Sequence, residues 1–270
     1  MSRISFRNLS GVAETLLIPL YYRAVETKRP DALIRDARAV ELVGRIDYDF
    51  SRIRLQAHDQ VALILRVREF DKRARDFLTR HPEAVVVHIG CGLDTRFDRV
   101  DNGKVEWYDL DLPEVIALRR QLIGEAPRCH LLGCPVFDDA WLDVVNAHCP
   151  RPLLFLAEGV LTYFEEAQVK SLVLRLLERC PGSELVCDAM TPLMIWLDNL
   201  QLAFAKIGAR LHWGLARGRD LETWGNGIRL LDEWFYFDRP EPRLGSAQLM
   251  RHFPPLARAS GIFHYRLGGQ

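Results

Sequence analysis

The sequence holds no C-x-x-C pair, no surplus of either charge and no apolar run of membrane-spanning length. Each absence excludes a class of protein. The six cysteines are Cys91, Cys129, Cys134, Cys149, Cys180 and Cys187. The Cys129–Cys134 spacing has no second pair to complete a zinc site. They read as free thiols, mostly buried small hydrophobes, and no metal is expected. Among 270 residues, 36 Lys and Arg balance 36 Asp and Glu. A nucleic-acid binder would show a basic excess, so no nucleic-acid partner is expected. No stretch reaches the length of a bilayer span, which argues against a membrane partner. The opening "MSRISFRNLSGVAETLL" lacks the compact apolar core and small-residue cleavage site of a signal peptide, so a cytoplasmic protein is expected. Internal repeats and low-complexity tracts are also missing.

What is present is an ordinary globular mixture, 49% hydrophobic and 27% charged, enough for one sizeable core. Short apolar runs occur at Ala84–Ile89, Val105–Tyr108, Leu153–Ala157 and Glu184–Cys187, with a weaker one at His130–Leu132. Proline, glycine or charge bounds each run, as for buried parallel strands. Helix-length segments lie between them. Pro113–Leu122 starts on a proline favourable for helix entry. Gln168–Arg179 places Val169, Leu172, Val173, Leu176 and Leu177 on one face. Alternating strands and helices predict an α/β, doubly wound, mostly parallel sheet. Residues 1–80 read as a helical section packed on that sheet, with a stripe along Asp59–Leu78. Residues 191–227, rich in aromatics (Trp196, Phe204, Trp213, Trp224), read as a lid-like helical insertion within a single domain spanning 1–270. The alternation in Ile262–Gly268 predicts an edge or antiparallel strand.

The stretch "VVVHIGCGLDTRF" carries the first functional signal. Gly90-Cys91-Gly92 closes a strand, and in open α/β sheets ligands bind at the carboxyl ends of strands. Glycine there lets a ligand approach the backbone. The next strand runs into "WYDLDLPEV", whose Asp111 follows Gly92 by 19 residues. An ionised carboxylate offers only acceptors and suits a ribose diol. The third glycine of a dinucleotide fingerprint is missing, because Thr95 stands there. Asp94 would also repel a pyrophosphate at the helix start. Adenosine without phosphate fits better, and S-adenosylmethionine is such a cofactor.

Three stretches, "VVVHIGCGLDTRFDRV", "VEWYDLDLPEVIALRRQLI" and "LLFLAEGVLTYFEEAQV", resemble the leucine carboxyl methyltransferase family. They are most similar to its bacterial branch of polyketide-biosynthesis O-methyltransferases of the tetracenomycin type. The resemblance spans nearly the whole chain. It implies a seven-stranded Rossmann-like methyltransferase sheet and S-adenosylmethionine as cofactor. It implies that Gly90, Cys91 and Gly92 face the methionine portion, and that Asp111, with Leu112 beside it, holds the ribose. Val136 and Phe137 would pack near the adenine, with Asp138 in hydrogen-bond reach of it. Glu158 would lie near the methionine amine, and Arg66 would bind the methionine carboxylate with help from Arg23. His88 departs from the asparagine often found before the turn, and Pro135 from a serine.

Asp94 and Arg96 read either as cofactor contacts or as an exposed loop ion pair, which would contribute only about 0–1 kcal/mol. Arg66 sits among apolar residues, where an unpartnered arginine would be costly. Glu158 ends an apolar strand and needs a cation or hydrogen bonds. The expected reaction is methyl transfer to an oxygen of a small polyketide-like acid. A carboxylate acceptor is ionised at neutral pH and needs no base. A hydroxyl or phenol acceptor would use one, and Tyr163 and His212 are the candidate catalytic residues. Aromatics of the 191–227 region would sandwich a planar acceptor or simply pack. Two rivals stand beside this reading: an NAD-dependent oxidoreductase and a non-catalytic cofactor-binding module. The oligomeric state is left open.

Overall fold

The computed structural model describes residues 4–5, 12–200 and 210–269. Its centre is a seven-stranded sheet built from β3 (Val85–Ile89), β4 (Glu106–Asp111), β5 (Cys129–Gly133), β6 (Leu153–Ala157), β7 (Ser183–Met190), β8 (Ile228–Phe235) and β9 (Ser260–Leu267). The order is β5-β4-β3-β6-β7-β9-β8. The first five strands are parallel, and β9 and β8 are antiparallel to their neighbours. The doubly wound α/β architecture expected from the alternating pattern is the one observed. A separate parallel pairing joins β1 (Ile4–Ser5) to β2 (Ile46–Asp47).

Strand pleating divides the core in two. Val85, Val87, Ile89, Leu153, Phe155 and Ala157 face α6 (Ala140–Asn146) and α7 (Glu166–Arg179). Val86, Leu154, Leu156 and Val186 face the opposite layer. There Phe70, Ala74 and Phe77 of α3 (Ala57–Arg80) and Phe97 and Val100 of α4 (Arg96–Val100) cover them. All five residues of β6 are buried. A strand buried on both faces reads as a continuous apolar run, which is why its bounds were legible. The helix α5 (Pro113–Leu122) begins on its proline, preceded by extended Leu112, as pre-proline sterics require. Two N-terminal helices, α1 (Val12–Thr27) and α2 (Ala37–Arg45), form a satellite core with Leu93, Leu118 and Leu122. That core pins the glycine turn from outside. Among the described residues no helix is long and apolar enough to cross a membrane.

Of the two forms expected for Ile262–Gly268, the antiparallel one is observed, with β9 lying between β7 and β8 and not at the edge. The edge strand β8 was not anticipated. Its burial is irregular and a bulge interrupts it between Leu230 and Asp232, so neither face gives a clean alternation. The 191–227 region contains α8 (Pro192–Leu200) and a 3-10 turn at Gly218–Trp224. Phe204 lies outside the described residues. Trp213 is buried and packs on Trp224, ring centroids 6.2 Å apart.

Candidate active site

The carboxyl ends of the parallel strands open into a cavity of about 690 Å³, within the range of small-molecule sites. Strand order sets its long axis. Cys134, Pro135, Val136 and Phe137 follow β5, Asp111 and Leu112 close β4, and Gly90–Asp94 follow β3. Glu158–Phe164 follow β6, Asp188–Met190 end β7, and Ser260 begins β9. Arg66 of α3 and Leu16, Pro19 and Arg23 of α1 complete the wall.

The turn after β3 is held by its backbone. The amides of Gly90 and Cys91 donate to the Leu110 carbonyl at 2.8 and 3.2 Å. Gly90 has φ +66°, and a Cβ there would stand 2.7 Å from Val160 Cγ2. A side chain is thus excluded both by conformation and by Val160. Asp111 accepts from the Gly92 amide at 2.8 Å through Oδ2 and from the Leu112 amide at 2.8 Å through Oδ1. Each oxygen keeps a further acceptor site toward the cavity. Burial raises the Asp111 carboxyl above its usual range, with the Gly92 and Leu112 amides opposing.

Asp94 and Arg96 are not an exposed pair. Both are buried, inside a network of arginines and carboxylates beneath the turn. Arg96 reaches Asp71 at 2.8 Å, Asp94 at 3.0 Å and Glu158 at 2.5 Å. Arg99 reaches Asp36, Asp71 and Asp94 at 2.7, 2.7 and 2.9 Å. Thr95 donates to Asp36 at 2.7 Å, which accounts for a threonine in place of a third glycine. Against the penalty of burial, Arg96, Arg99 and Arg23 hold Asp94 well below the usual carboxylate range. Arg119 ties the turn from behind, donating to the carbonyls of Gly92 and Asp94 and pairing with Asp109.

His88 belongs to this network. Its Nε2 lies 3.1 Å from Arg96 Nη1. A guanidinium has only donors, so Nε2 accepts and the ring proton sits on Nδ1. Among the described residues Nδ1 has no hydrogen-bond partner, and it faces Asp109 Oδ1 at 3.7 Å. Burial, then the charge of Arg96, lowers the His88 pKa well below its ordinary value, so the ring is neutral at pH 7.

Arg66 and Glu158 meet at 3.0 Å, and Arg66 Nη1 also reaches Asp188 Oδ2 at 3.1 Å. Its Nη2 stands beside Gly159, where a Cβ would come within 3.3 Å. Glu158 therefore spends its oxygens on Arg66 and Arg96. Arg23 lines the cavity, with Nε on Asp36 at 3.0 Å and Nη2 on the Leu93 carbonyl at 2.8 Å. The sequence reading missed Asp188, whose other oxygen accepts from the Gly159 amide at 2.6 Å. Burial raises its carboxyl, with Arg66 pulling the other way.

Gly90, Cys91, Gly92, Asp94, Asp111, Leu112, Val136, Phe137, Glu158, Arg23, Arg66 and Tyr163 all line this cavity. Two candidates do not. Asp138 is exposed and accepts from the Ala140 amide at 3.0 Å, capping the start of α6 instead of facing the wall. His212 is exposed, with Nδ1 2.6 Å from Glu165 Oε1. Its neighbour Leu211, not its ring, reaches the cavity. Tyr163 is at the cavity, but burial raises its hydroxyl pKa. Trp213 and Trp224 pack in and against the core and are not among the lining residues.

The leucine carboxyl methyltransferase family model matches residues 17–176. The tetracenomycin polyketide synthesis O-methyltransferase TcmP of Streptomyces glaucescens is 37% identical over 266 residues, covering 95% of this chain and 97% of the relative. The S-adenosyl-L-methionine-dependent methyltransferase dpfgK of Gibberella zeae is 33% identical over 248 residues, covering 84% and 83%. Among solved structures, a duf574 family protein from Streptomyces avermitilis superposes with a TM-score of 0.56 at 15% identity, covering 91% of this chain and 96% of that one. That similarity speaks for the fold alone. With more than half of the chain matched by the family model and a relative aligned nearly end to end, the chain belongs to the leucine carboxyl methyltransferase family.

Proposed function

We propose that this S-adenosylmethionine-dependent methyltransferase esterifies a small polyketide-like acid, delivering the methyl group to a carboxylate oxygen. The lining residues fit the cofactor. Asp111 retains acceptor sites for a ribose diol, while Leu112, Val136 and Phe137 offer apolar surface for adenine. Arg66 keeps the N–H groups of Nη2 for the methionine carboxylate, because only its Nε and Nη1 are engaged by acids. S-adenosylmethionine supplies an electrophilic methyl group on a cationic sulfur.

The observation that carries the acid reading is the loss of both candidate bases. His212 is held by Glu165 outside the cavity, and Tyr163 stays protonated. A carboxylate needs no base at neutral pH. The protein then contributes alignment and exclusion of water, and the Tyr163 hydroxyl donates to the acceptor oxygen. The relative named for tetracenomycin polyketide synthesis supports a polyketide-like acceptor. Family membership replaces the oxidoreductase alternative.

Two measurements test this reading. Asp111→Ala is expected to weaken S-adenosylhomocysteine binding by about 1–3 kcal/mol in calorimetry, since the diol loses its acceptor. Incubating the enzyme with S-adenosylmethionine and matched aromatic acids and phenols is expected to give base-labile esters. Methylation of phenols alone, as base-stable ethers, would reject the acid acceptor.

A further inference from the structure

The nitrogens of Arg66 are divided among different partners. Nε meets Glu158 Oε1 at 3.0 Å, and Nη1 meets Asp188 Oδ2 at 3.1 Å. Nη2 is left for the methionine carboxylate, beside Gly159, which has no Cβ to stand in the way. A guanidinium is a planar fork, so a carboxylate on Nη2 has Glu158 to one side and Asp188 to the other. An amino acid carries its ammonium and its carboxylate on the same carbon. The ammonium of the ligand is therefore set down beside one of these two acids, both of which line the cavity.

The two acids are not equally compensated. Glu158 has a guanidinium on each oxygen, Arg66 on Oε1 and Arg96 on Oε2 at 2.5 Å. Asp188 has a share of Arg66 alone, and its other oxygen accepts from the neutral Gly159 amide at 2.6 Å. Among the described residues no second cation pairs with it. Burial raises the Asp188 carboxyl, and the neighbouring charge of Glu158 adds to that effect. A carboxylate so placed gains from an added cation. An ammonium has only donors to offer, and beside Asp188 it closes a ring of alternating charge. The ring runs from Arg66 to the ligand carboxylate, the ligand ammonium, Asp188 and back to Arg66.

We infer that Asp188, and not Glu158, receives the α-ammonium of the bound cofactor, while Glu158 is a positioning residue that braces Arg66 against Arg96. The inference rests on the assignment of this cavity to S-adenosylmethionine and of Arg66 to its carboxylate. The methyl donor and its demethylated product share the same amino-acid end. The contact therefore serves both alike, and it is independent of which oxygen accepts the methyl group.

The test is calorimetric titration of the full chain at pH 7 with S-adenosylhomocysteine and with its deamino analogue, 5′-S-(3-carboxypropyl)-5′-thioadenosine, which keeps the carboxylate and lacks the amine. Wild type is expected to prefer S-adenosylhomocysteine. Asp188→Asn keeps an oxygen for the Gly159 amide and should lower that preference roughly tenfold, the scale of one charge interaction across a protein site. Glu158→Gln loosens Arg66, so it should weaken both ligands together and leave their ratio as in wild type. A merely structural role for Asp188 would lower both affinities and leave the ratio alone. Should Asp188→Asn fail to fold, Glu158→Gln decides by itself: a retained ratio supports the inference. Loss of the ratio in Glu158→Gln overturns it and gives the ammonium to Glu158. An unchanged ratio in Asp188→Asn, or no preference in wild type, overturns it as well. Failure of wild type to bind either ligand would instead overturn the cofactor assignment.

Discussion

Helix α3 presents Arg66, near its middle, and Arg80, its last residue, to the same face of β7, and the two contacts behave oppositely. At the far end Glu184 receives Arg80 at 3.0 and 2.8 Å, His264 at 2.8 Å and Arg266 at 2.7 Å. Against the penalty of burial, His264 and Arg80 hold its carboxyl down at about 2. At the cavity end Asp188, four residues along the strand, shares Arg66 with Glu158, and burial raises its carboxyl. Between them Val186 packs on Phe70 and Phe77. One helix and one strand thus carry a saturated ion cluster and an undersaturated one. The first contributes to the fold, while the second leaves charge available to a ligand at some cost in stability, a pattern expected where function and stability compete.

Three perturbations sharpen this contrast. The largest effect is expected for Glu184→Ala, which strands the Arg80 and Arg266 guanidinium groups and leaves His264 Nε2 without its carboxylate. We expect a loss of about 3 kcal/mol in chemical denaturation, near the low end for a broken buried pair because Arg80 and Arg266 reach solvent. Cofactor affinity should not change, and a parallel loss of affinity would show that the two ends are coupled. Acid titration comes next. The folded pKa of Glu184, about 2, lies below its ordinary 4.5, so its contribution is complete above about pH 4.5 and lost as pH falls toward 2. The amount is on the order of 3 kcal/mol, and Glu184→Gln should lack this portion of the acid transition. The smallest effect is expected for Asp188→Asn. Its folded pKa is raised, so ionising it opposes folding as pH rises past the ordinary 3.8. Asparagine keeps an oxygen for the Gly159 amide and Arg66 keeps Glu158, so removing the charge should shift stability at pH 7 by only about 1 kcal/mol. A large loss of stability would make the Asp188 end a structural cluster like the Glu184 end.

Local chemistry made part of this visible in the sequence. The glycine turn and Asp111 are read from a strand, a turn and the next strand, with no knowledge of distant segments. Leu153–Ala157 and Pro113–Leu122 were bounded correctly because burial on both faces and a starting proline leave unambiguous signs. The ion network was not visible, because Asp36, Asp71, Asp94, Glu158 and Asp188 come from five separate segments and only packing brings them to Arg23, Arg66, Arg96 and Arg99. Asp188 was missed by one residue. The apolar run was read to Cys187, and the strand continues to Met190. A charged residue ends an apolar pattern even where the backbone stays extended, and here that residue faces the cavity. His88 looked anomalous for a related reason, since the arginine it serves folds back onto it from the following helix.

The insertion of β9 between β7 and β8 bears on how the enzyme comes into being. A ribosome releases β7 and β8 before the strand that both must pair with. Until Ser260–Leu267 emerges, β7 keeps an open hydrogen-bonding edge, a surface prone to pairing with other chains. The register matches Asp188 with Ile262, and Ser260 forms part of the cavity rim. The cavity end of β7 therefore gains its second hydrogen-bonding neighbour, and the cavity rim its Ser260, only when this strand has emerged.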